Sequence, residues 1–262
     1  MAFSTLFKNK KPIIGCIHLY PLPGAPLYTG GLEQVYSTAL KEASMLEKNG
    51  VDGLIIENFR DMPFYKDVVP AETIATMAAV SREVVNNVSI PVGINVLRND
   101  AHAALAIATA INADFIRVNV HMHGALTDQG IIEGKAYDTM RLKATLKSPV
   151  LVFADVGVKH AAPLADYSLE EQAHDLEERG LVDALIVSGT HTGGETDVDD
   201  ILTVKKATSL PVIVGSGTTR ENNAEMLTQS DGCIVGSTFK KEGNCMNDVS
   251  SARIKSFMDS IT

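Results

Sequence analysis

The stretches PVIVGSGT (residues 211–218) and GCIVGST (residues 232–238) decide the fold. Each is a short unbroken aliphatic run that ends in Gly-Ser. Continuous Val/Ile runs bounded by turn residues read as strands buried on both faces, the mark of a parallel sheet. Working back toward the N-terminus, the same kind of run recurs as PIIGCIH (12–18), DGLIIE (52–57), PVGINV (91–96), DFIRVNV (114–120), PVLVFAD (149–155) and DALIVS (183–188). Amphipathic stretches follow them near 32–49, 71–87, 100–111, 135–147, 168–179, 198–207, 221–229 and 247–261. In the first of these Leu32, Val35, Tyr36, Ala39, Leu40, Ala43 and Leu46 keep helical spacing.

Punctuation agrees with this reading. Asn49-Gly50 and Arg179-Gly180 offer residues that tolerate the left-handed conformation just past a helix end. Pro91, Pro149 and Pro211 stand at strand entries, where a missing N–H is tolerated. Eight strand–helix units in about 250 residues suit a (β/α)8 TIM barrel better than a doubly wound sheet, which has fewer strands. The expectation is an α/β fold with one barrel domain over residues 1–262. No linker, low-complexity segment or short-period repeat is visible.

Composition narrows the partners. The 262 residues are 45% apolar, enough for a sizeable aliphatic core, and carry 23 Lys+Arg against 32 Asp+Glu, a net charge of −9. No basic run is present to neutralise nucleic-acid phosphates, and with no Trp and 5% aromatics there is little to stack bases on. No apolar stretch reaches the roughly 18 residues of a membrane span, so no integral membrane segment is expected. Three cysteines without a CxxC suit a reducing compartment. These features predict a soluble, cytoplasmic protein, with association into homo-oligomers left open.

A barrel places its active site at the C-terminal ends of its strands. Polar residues at those ends are His18, Glu57, Asn58, Asn95, Arg117, Asn119, Asp155, Ser188, Ser216 and Ser237. The Gly-Ser turns after the seventh and eighth strands let backbone N–H groups approach an anion at helix N-termini. Gly215, Ser216, Gly217, Gly236 and Ser237 are therefore the expected phosphate site, although such glycines can also serve only to make tight turns. Glu57 and Asp155 are candidate general bases, unless pairing with Arg117 makes them structural. His18 and Arg117 complete the candidate catalytic set, with Asn95, Asn119, Ser188 and Thr192 as substrate-binding groups.

Histidines crowd the strand ends at His18, His121, His123, His160 and His191. They read either as hydrogen-bonding loop residues or, with carboxylates, as ligands of a divalent metal, the one candidate cofactor. The long loops Leu19–Gly31, Met122–Gly134 and Gly189–Thr196 read as lids or as oligomer contacts. A lysine nucleophile is weakly supported, by Lys159 alone. Walker A, GxGxxG and GxSxG motifs are absent, which removes the NAD-enzyme and α/β-hydrolase readings.

Several segments together resemble the BtpA/SgcQ family. They are Cys16-Ile17-His18-Leu19 with Leu22-Pro23-Gly24, Gly93-Ile94-Asn95-Val96-Leu97, and Val187-Ser188-Gly189 leading to Thr192-Gly193. Asp231-Gly232-Cys233-Ile234-Val235 and Thr238-Phe239-Lys240-Lys241-Glu242-Gly243 complete the set. The resemblance spans nearly the whole chain and implies a TIM barrel. One branch of the family is associated with photosystem I stability and another lies in sugar-uptake gene clusters. No established reaction comes with it.

Three functional expectations result. The first is an isomerase, lyase or hydrolase acting on a small phosphorylated metabolite, a sugar or nucleotide phosphate. The second is a non-catalytic assembly or stability factor, and a metal-dependent hydrolase is a third variant.

Overall fold

A computed structural model describes residues 2–158, 160–189 and 194–261. Its strands are β1 (Ile13–His18), β2 (Gly53–Glu57), β3 (Val92–Asn95), β4 (Phe115–Val118), β5 (Gly124–Thr127), β6 (Gly130–Glu133), β7 (Leu151–Val156), β8 (Ala161–Pro163), β9 (Ala184–Val187), β10 (Val212–Val214) and β11 (Cys233–Val235). Its helices are α1 (Phe3–Leu6), α2 (Leu32–Lys48), α3 (Ala71–Asn87), α4 (Ala101–Ile111), α5 (Ala136–Leu146), α6 (Leu169–Glu178), α7 (Val198–Ala207), α8 (Asn223–Gln229) and α9 (Ser251–Met258). Eight strands close a parallel barrel in the order β1-β11-β10-β9-β7-β4-β3-β2. Each aliphatic run of the sequence supplies one barrel strand, and each amphipathic stretch one helix.

The barrel interior is layered. Ile14, Cys16, Ile55, Phe115, Phe153, Ile186, Ile213 and Ile234 form an apolar plug below the mouth. Phe115 and Phe153 stack at 4.6 Å, and Gly93 makes room for them, since a Cβ there would lie 2.1 Å from the Phe115 ring. The short α1, not anticipated from sequence, closes the lower end by packing Phe3 on Phe153 and Phe7 on Phe115. Burial of an aromatic ring is worth roughly 1.5–3 kcal/mol. A second, larger cluster fills the space between strands and helices.

A repeat escaped the sequence reading. Asp52, Asp114, Asp183 and Asp231 stand just before β2, β4, β9 and β11, which are every second strand around the barrel. Their carboxylates accept from the N–H groups of Ile13, Val92, Val152 and Val212 at 2.8–2.9 Å. Each aspartate's own N–H donates back to the carbonyl of the same residue, at 2.8 Å in all four cases. The barrel is thus stapled at its lower rim by four equivalent clasps, one per pair of strands. Their sequence spacing is uneven because the intervening loops differ in length, which hides the period.

Two further expectations change. Gly180 is not the left-handed residue after α6; Leu181 is, at φ 54°. Gly180 is required instead by packing, because a Cβ would sit 2.7 Å from the Leu176 carbonyl oxygen. The Met122–Gly134 loop is not an open lid. It folds as the β5–β6 hairpin, and β8 adds to it in a three-stranded antiparallel sheet. Ala125 and Ile132 pack inward against Val120, while Leu126 and Ile131 face outward.

Candidate active site

The upper ends of the strands carry one connected polar network. Arg117 on β4 donates from Nε and Nη2 to the two oxygens of Asp155 on β7, at 2.9 and 3.0 Å. Asn119 donates to the same carboxylate at 2.9 Å. Arg117 Nη1 then reaches Glu57 Oε1 on β2 at 3.7 Å, and Glu57 Oε2 lies 3.7 Å from His18 Nε2 on β1. These side chains meet because each occupies the inward-facing position at the end of a parallel strand, and β1–β2 and β2–β3 register sets His18 beside Glu57 and Glu57 beside Asn95. Burial opposes the charge on Arg117, but Asp155 and Glu57 outweigh it and hold the guanidinium protonated beyond its ordinary range.

This geometry divides the candidate catalytic residues. Asp155 lines neither cavity of the mouth, and its side chain is fully buried against Arg117 and Asn119. These contacts fit the structural pairing with Arg117 that its sequence context leaves open. Glu57, His18 and Arg117 do line the mouth. His18 Nδ1 lies 3.2 Å from the Cys245 carbonyl, which can only accept, so Nδ1 carries a proton and Nε2 is the nitrogen that faces Glu57. The imidazole is clamped from the side by the Phe59 ring, stacked at 4.3 Å.

Among the described residues, two cavities at the mouth share Glu57, Phe59 and Arg117. The smaller, about 40 Å³, is a cleft between the turns after β10 and β11, lined by Ser216, Gly217, Gly236 and Ser237 among others. The buried Ser216 hydroxyl has no hydrogen-bond partner among the described residues. Thr238 ties the two turns together by donating to the Thr218 carbonyl at 2.7 Å, and Thr196 holds the Ser216 carbonyl at 2.9 Å. Packing accounts for two of the glycines. A Cβ on Gly215 would lie 2.4 Å from Ile186 and Ser188, and one on Gly217, at φ 75°, would lie 2.2 Å from the Gly194 carbonyl oxygen. Gly236 differs, since its nearest neighbour would be His18 at an ordinary 3.6 Å. Its missing side chain keeps the cleft open toward the imidazole.

The larger cavity, about 580 Å³, has no counterpart among the sequence expectations. Phe59, Met62, Phe64 and Leu97 supply an apolar wall, and Asn95, Asn119, Arg98, Asp128 and His160 supply polar groups. Most of that wall comes from the loop after β2, which in the sequence reads as an ordinary connection. That loop is pinned. Arg60 lies over the Tyr20 ring at 4.2 Å and donates to the Asn247 carbonyl, while Asp61 accepts from Leu22 N–H at 2.8 Å. Burial raises Asp61 above the usual carboxylate range despite that bond. The loop after β11 is anchored in turn by a fully buried Lys240–Glu42 ion pair at 2.8 Å.

The remaining candidates separate. Asn95 donates to the Arg117 carbonyl at 3.0 Å and toward Asn119 Oδ1 at 3.4 Å, which leaves its own Oδ1 buried without a partner among the described residues. Asn119 spends its amide on Asp155. Ser188 sits 3.5 Å from Arg117 Nη2, at the edge of a separate cavity beside the β5–β8 sheet. Thr192 and His191 lie outside the described residues, as does Lys159. His121 and His123 serve structure: His121 Nε2 donates to the Gly180 carbonyl at 2.9 Å, and His123 lies 3.2 Å from Asp175. Among the described residues no three His, Cys, Asp or Glu side chains converge to hold a metal ion. No helix among them is long and apolar enough to cross a membrane.

Fold and mouth together define an α/β barrel protein whose strand ends converge on a buried acid, imidazole and guanidinium. The chain belongs to the BtpA family, whose model matches residues 9–262. It is 46% identical to an uncharacterized protein of Methanocaldococcus jannaschii over 97% of this chain and 96% of that one. It is 42% identical to the photosystem I biogenesis protein BtpA of Synechocystis, over 97% of this chain and 89% of the relative. Among solved structures, Mycobacterium tuberculosis tryptophan synthase superposes with a TM-score of 0.62 at 16% identity, covering 96% of this chain and 93% of that one. Thiamine phosphate pyrophosphorylase of Pyrococcus furiosus gives 0.57 at 12%, covering 96% and 95%. At such identities the likeness shows the TIM-barrel fold alone.

Proposed function

We propose that this chain is an enzyme acting on a small phosphorylated metabolite at the barrel mouth. The observation that carries the reading is the buried Ser216 hydroxyl, without a partner among the described residues, in a cleft that also opens on His18, Glu57 and Arg117. A buried hydroxyl left unsatisfied costs free energy, and an anion's oxygens would accept its proton. The two turns lie where barrels of this class bind phosphate.

The neighbouring groups suit proton transfer, as isomerases and lyases require. Glu57 removes a proton from carbon or oxygen of the bound ligand. Arg117, held rigid by Asp155, stabilises the negative charge that develops. His18 returns or relays a proton through Nε2, its other nitrogen being occupied by the Cys245 carbonyl. A thermal-shift screen tests the reading. Phosphorylated metabolites raise Tm by mass action where their dephosphorylated counterparts do not, and Ser216→Ala reduces the shift. A panel in which no phosphorylated compound moves Tm, with or without divalent ions, sinks it.

A second reading, a non-catalytic assembly factor, is favoured by the 42% identity to the Synechocystis photosystem I biogenesis protein. The outer face of the β5–β6–β8 sheet supports it, with Leu126 and Leu164 both 52% exposed and Ile131 47%. Under that reading, charge placed at Leu126 and Ile131 disrupts assembly and leaves ligand-induced shifts in place.

A further inference from the structure

We infer that the larger cavity of the mouth receives a nucleobase, so that the ligand is a nucleoside 5′-monophosphate or a close analogue rather than a bare sugar phosphate. The inference rests on the phosphate reading of the Ser216 cleft and extends it to the other end of the ligand.

Three observations carry it. First, the cleft of about 40 Å³ and the cavity of about 580 Å³ share Glu57, Phe59 and Arg117. A ligand anchored in the cleft by its phosphate must cross those residues, and the rest of the molecule then enters a space in the size range of small-molecule sites. A sugar phosphate would fill only its near end.

Second, the wall of that space is aromatic in a chain with 5% aromatic residues and no Trp. Phe59 and Phe64 stand with ring centroids 6.5 Å apart and planes at 59°. Both are partly exposed within the concave mouth, while Phe115 and Phe153 below are wholly buried. One face of Phe59 is taken by His18, so Phe64 is the ring left to stack. A flat π-system gains from such a surface, whereas the hydroxyls of a second sugar would be stripped of water against it.

Third, the polar floor asks for a hydrogen-bond donor. Asn95 lines this cavity, and its Nδ2 donates to the Arg117 carbonyl, which fixes the amide's orientation and leaves Oδ1 as a pure acceptor. That atom is buried and has no partner among the described residues, and Asn95 is only 2% exposed. A ring N–H or exocyclic amine of a base satisfies it.

Isothermal titration calorimetry on the full chain separates the two ends of the ligand, with inorganic phosphate, ribose 5-phosphate and the four common nucleoside 5′-monophosphates as probes. At least one nucleotide is expected to bind tenfold or more tightly than ribose 5-phosphate. Phe64→Ala should remove that advantage and leave ribose 5-phosphate affinity unchanged. Phe64→Leu, which keeps most of the volume and loses the ring, should act in the same direction and guards against misfolding. Nucleotides that bind no better than ribose 5-phosphate, or a Phe64→Ala that weakens both alike, overturn the nucleobase site and leave the phosphate cleft standing. Failure of every probe, inorganic phosphate included, overturns both.

Discussion

Arg117 and Asp155 are locked face to face inside the barrel by two parallel hydrogen bonds of 2.9 and 3.0 Å. This fork leaves the guanidinium no freedom to swing, so its remaining nitrogen, Nη1, is held toward Glu57. The pairing explains why the mouth can carry a buried positive charge at a fixed point. It also gives Asp155 a task other than chemistry.

Removing one partner of a buried ion pair leaves the other charge uncompensated. Asp155→Ala is therefore expected to cost about 3–5 kcal/mol in urea denaturation. Asp155→Asn, which keeps one acceptor and the shape, costs less. Equal stability of Asp155→Ala and the parent protein would show that Arg117 finds another partner.

Glu57 is the group we assign to proton abstraction. Glu57→Gln keeps the side chain's shape beside His18, and ligand binding by calorimetry should stay within a few-fold. Turnover of the ligand that the screen identifies should fall by about 10²–10⁴, the range ascribed to general-base catalysis. An undiminished kcat would remove Glu57 from the mechanism.

His121 links stability to pH. Burial lowers its pKa, against the hydrogen bond to Gly180, so below about pH 6.5 the unfolded chain takes up a proton that the folded chain refuses. The unfolded state then binds more protons, and stability must rise with pH through that window and fall as the solution is acidified. His121→Gln retains a donor for the Gly180 carbonyl and does not titrate. Its Tm should fall less than the parent's between about pH 7.5 and 5.5; parallel curves would contradict the assignment.

The four aspartate clasps predict equivalent losses at distant sites. Asp231→Ala strands the buried Val212 N–H and is expected to cost about 1–3 kcal/mol, with Asp231→Asn milder because an amide oxygen still accepts. Asp114→Ala should behave alike at Val92. Chemical denaturation of both variants and their double checks this, and the losses should add, since the two sites share no partner.

Much of the barrel is legible in the sequence. All eight runs, from Ile13–His18 to Cys233–Val235, form strands within one or two residues of their expected ends. The misses have specific causes. The β5–β6 hairpin is built from GALT and GIIE, too short to stand out from a loop, and it exists because β8 pairs along the free edge of β5 and Val120 packs against one face of the sheet. The plug helix α1 depends on Phe3 and Phe7 finding Phe115 and Phe153, rings more than a hundred residues away. Of the candidate residues, His18, Glu57 and Arg117 line the mouth. Phe59, Phe64 and Arg98 were not found, because nothing in a loop's composition says which cavity it will wall.

By itself the sequence determined the alternation of strand and helix, and with it which residues stand at the upper rim. Those signals are local, set by backbone periods of 2 and 3.6 and by Gly and Pro at the turns. Only the tertiary structure decided what each rim residue does. Asp155 and Glu57 have the same chemistry and the same place at a strand end. Closure of the barrel gives one both the fork of Arg117 and the amide of Asn119, and leaves the other lining the cavities beside His18. That difference arises from which strands stand side by side in the closed wall, β4 beside β7 and β1 beside β2, and from their register, which no local period encodes.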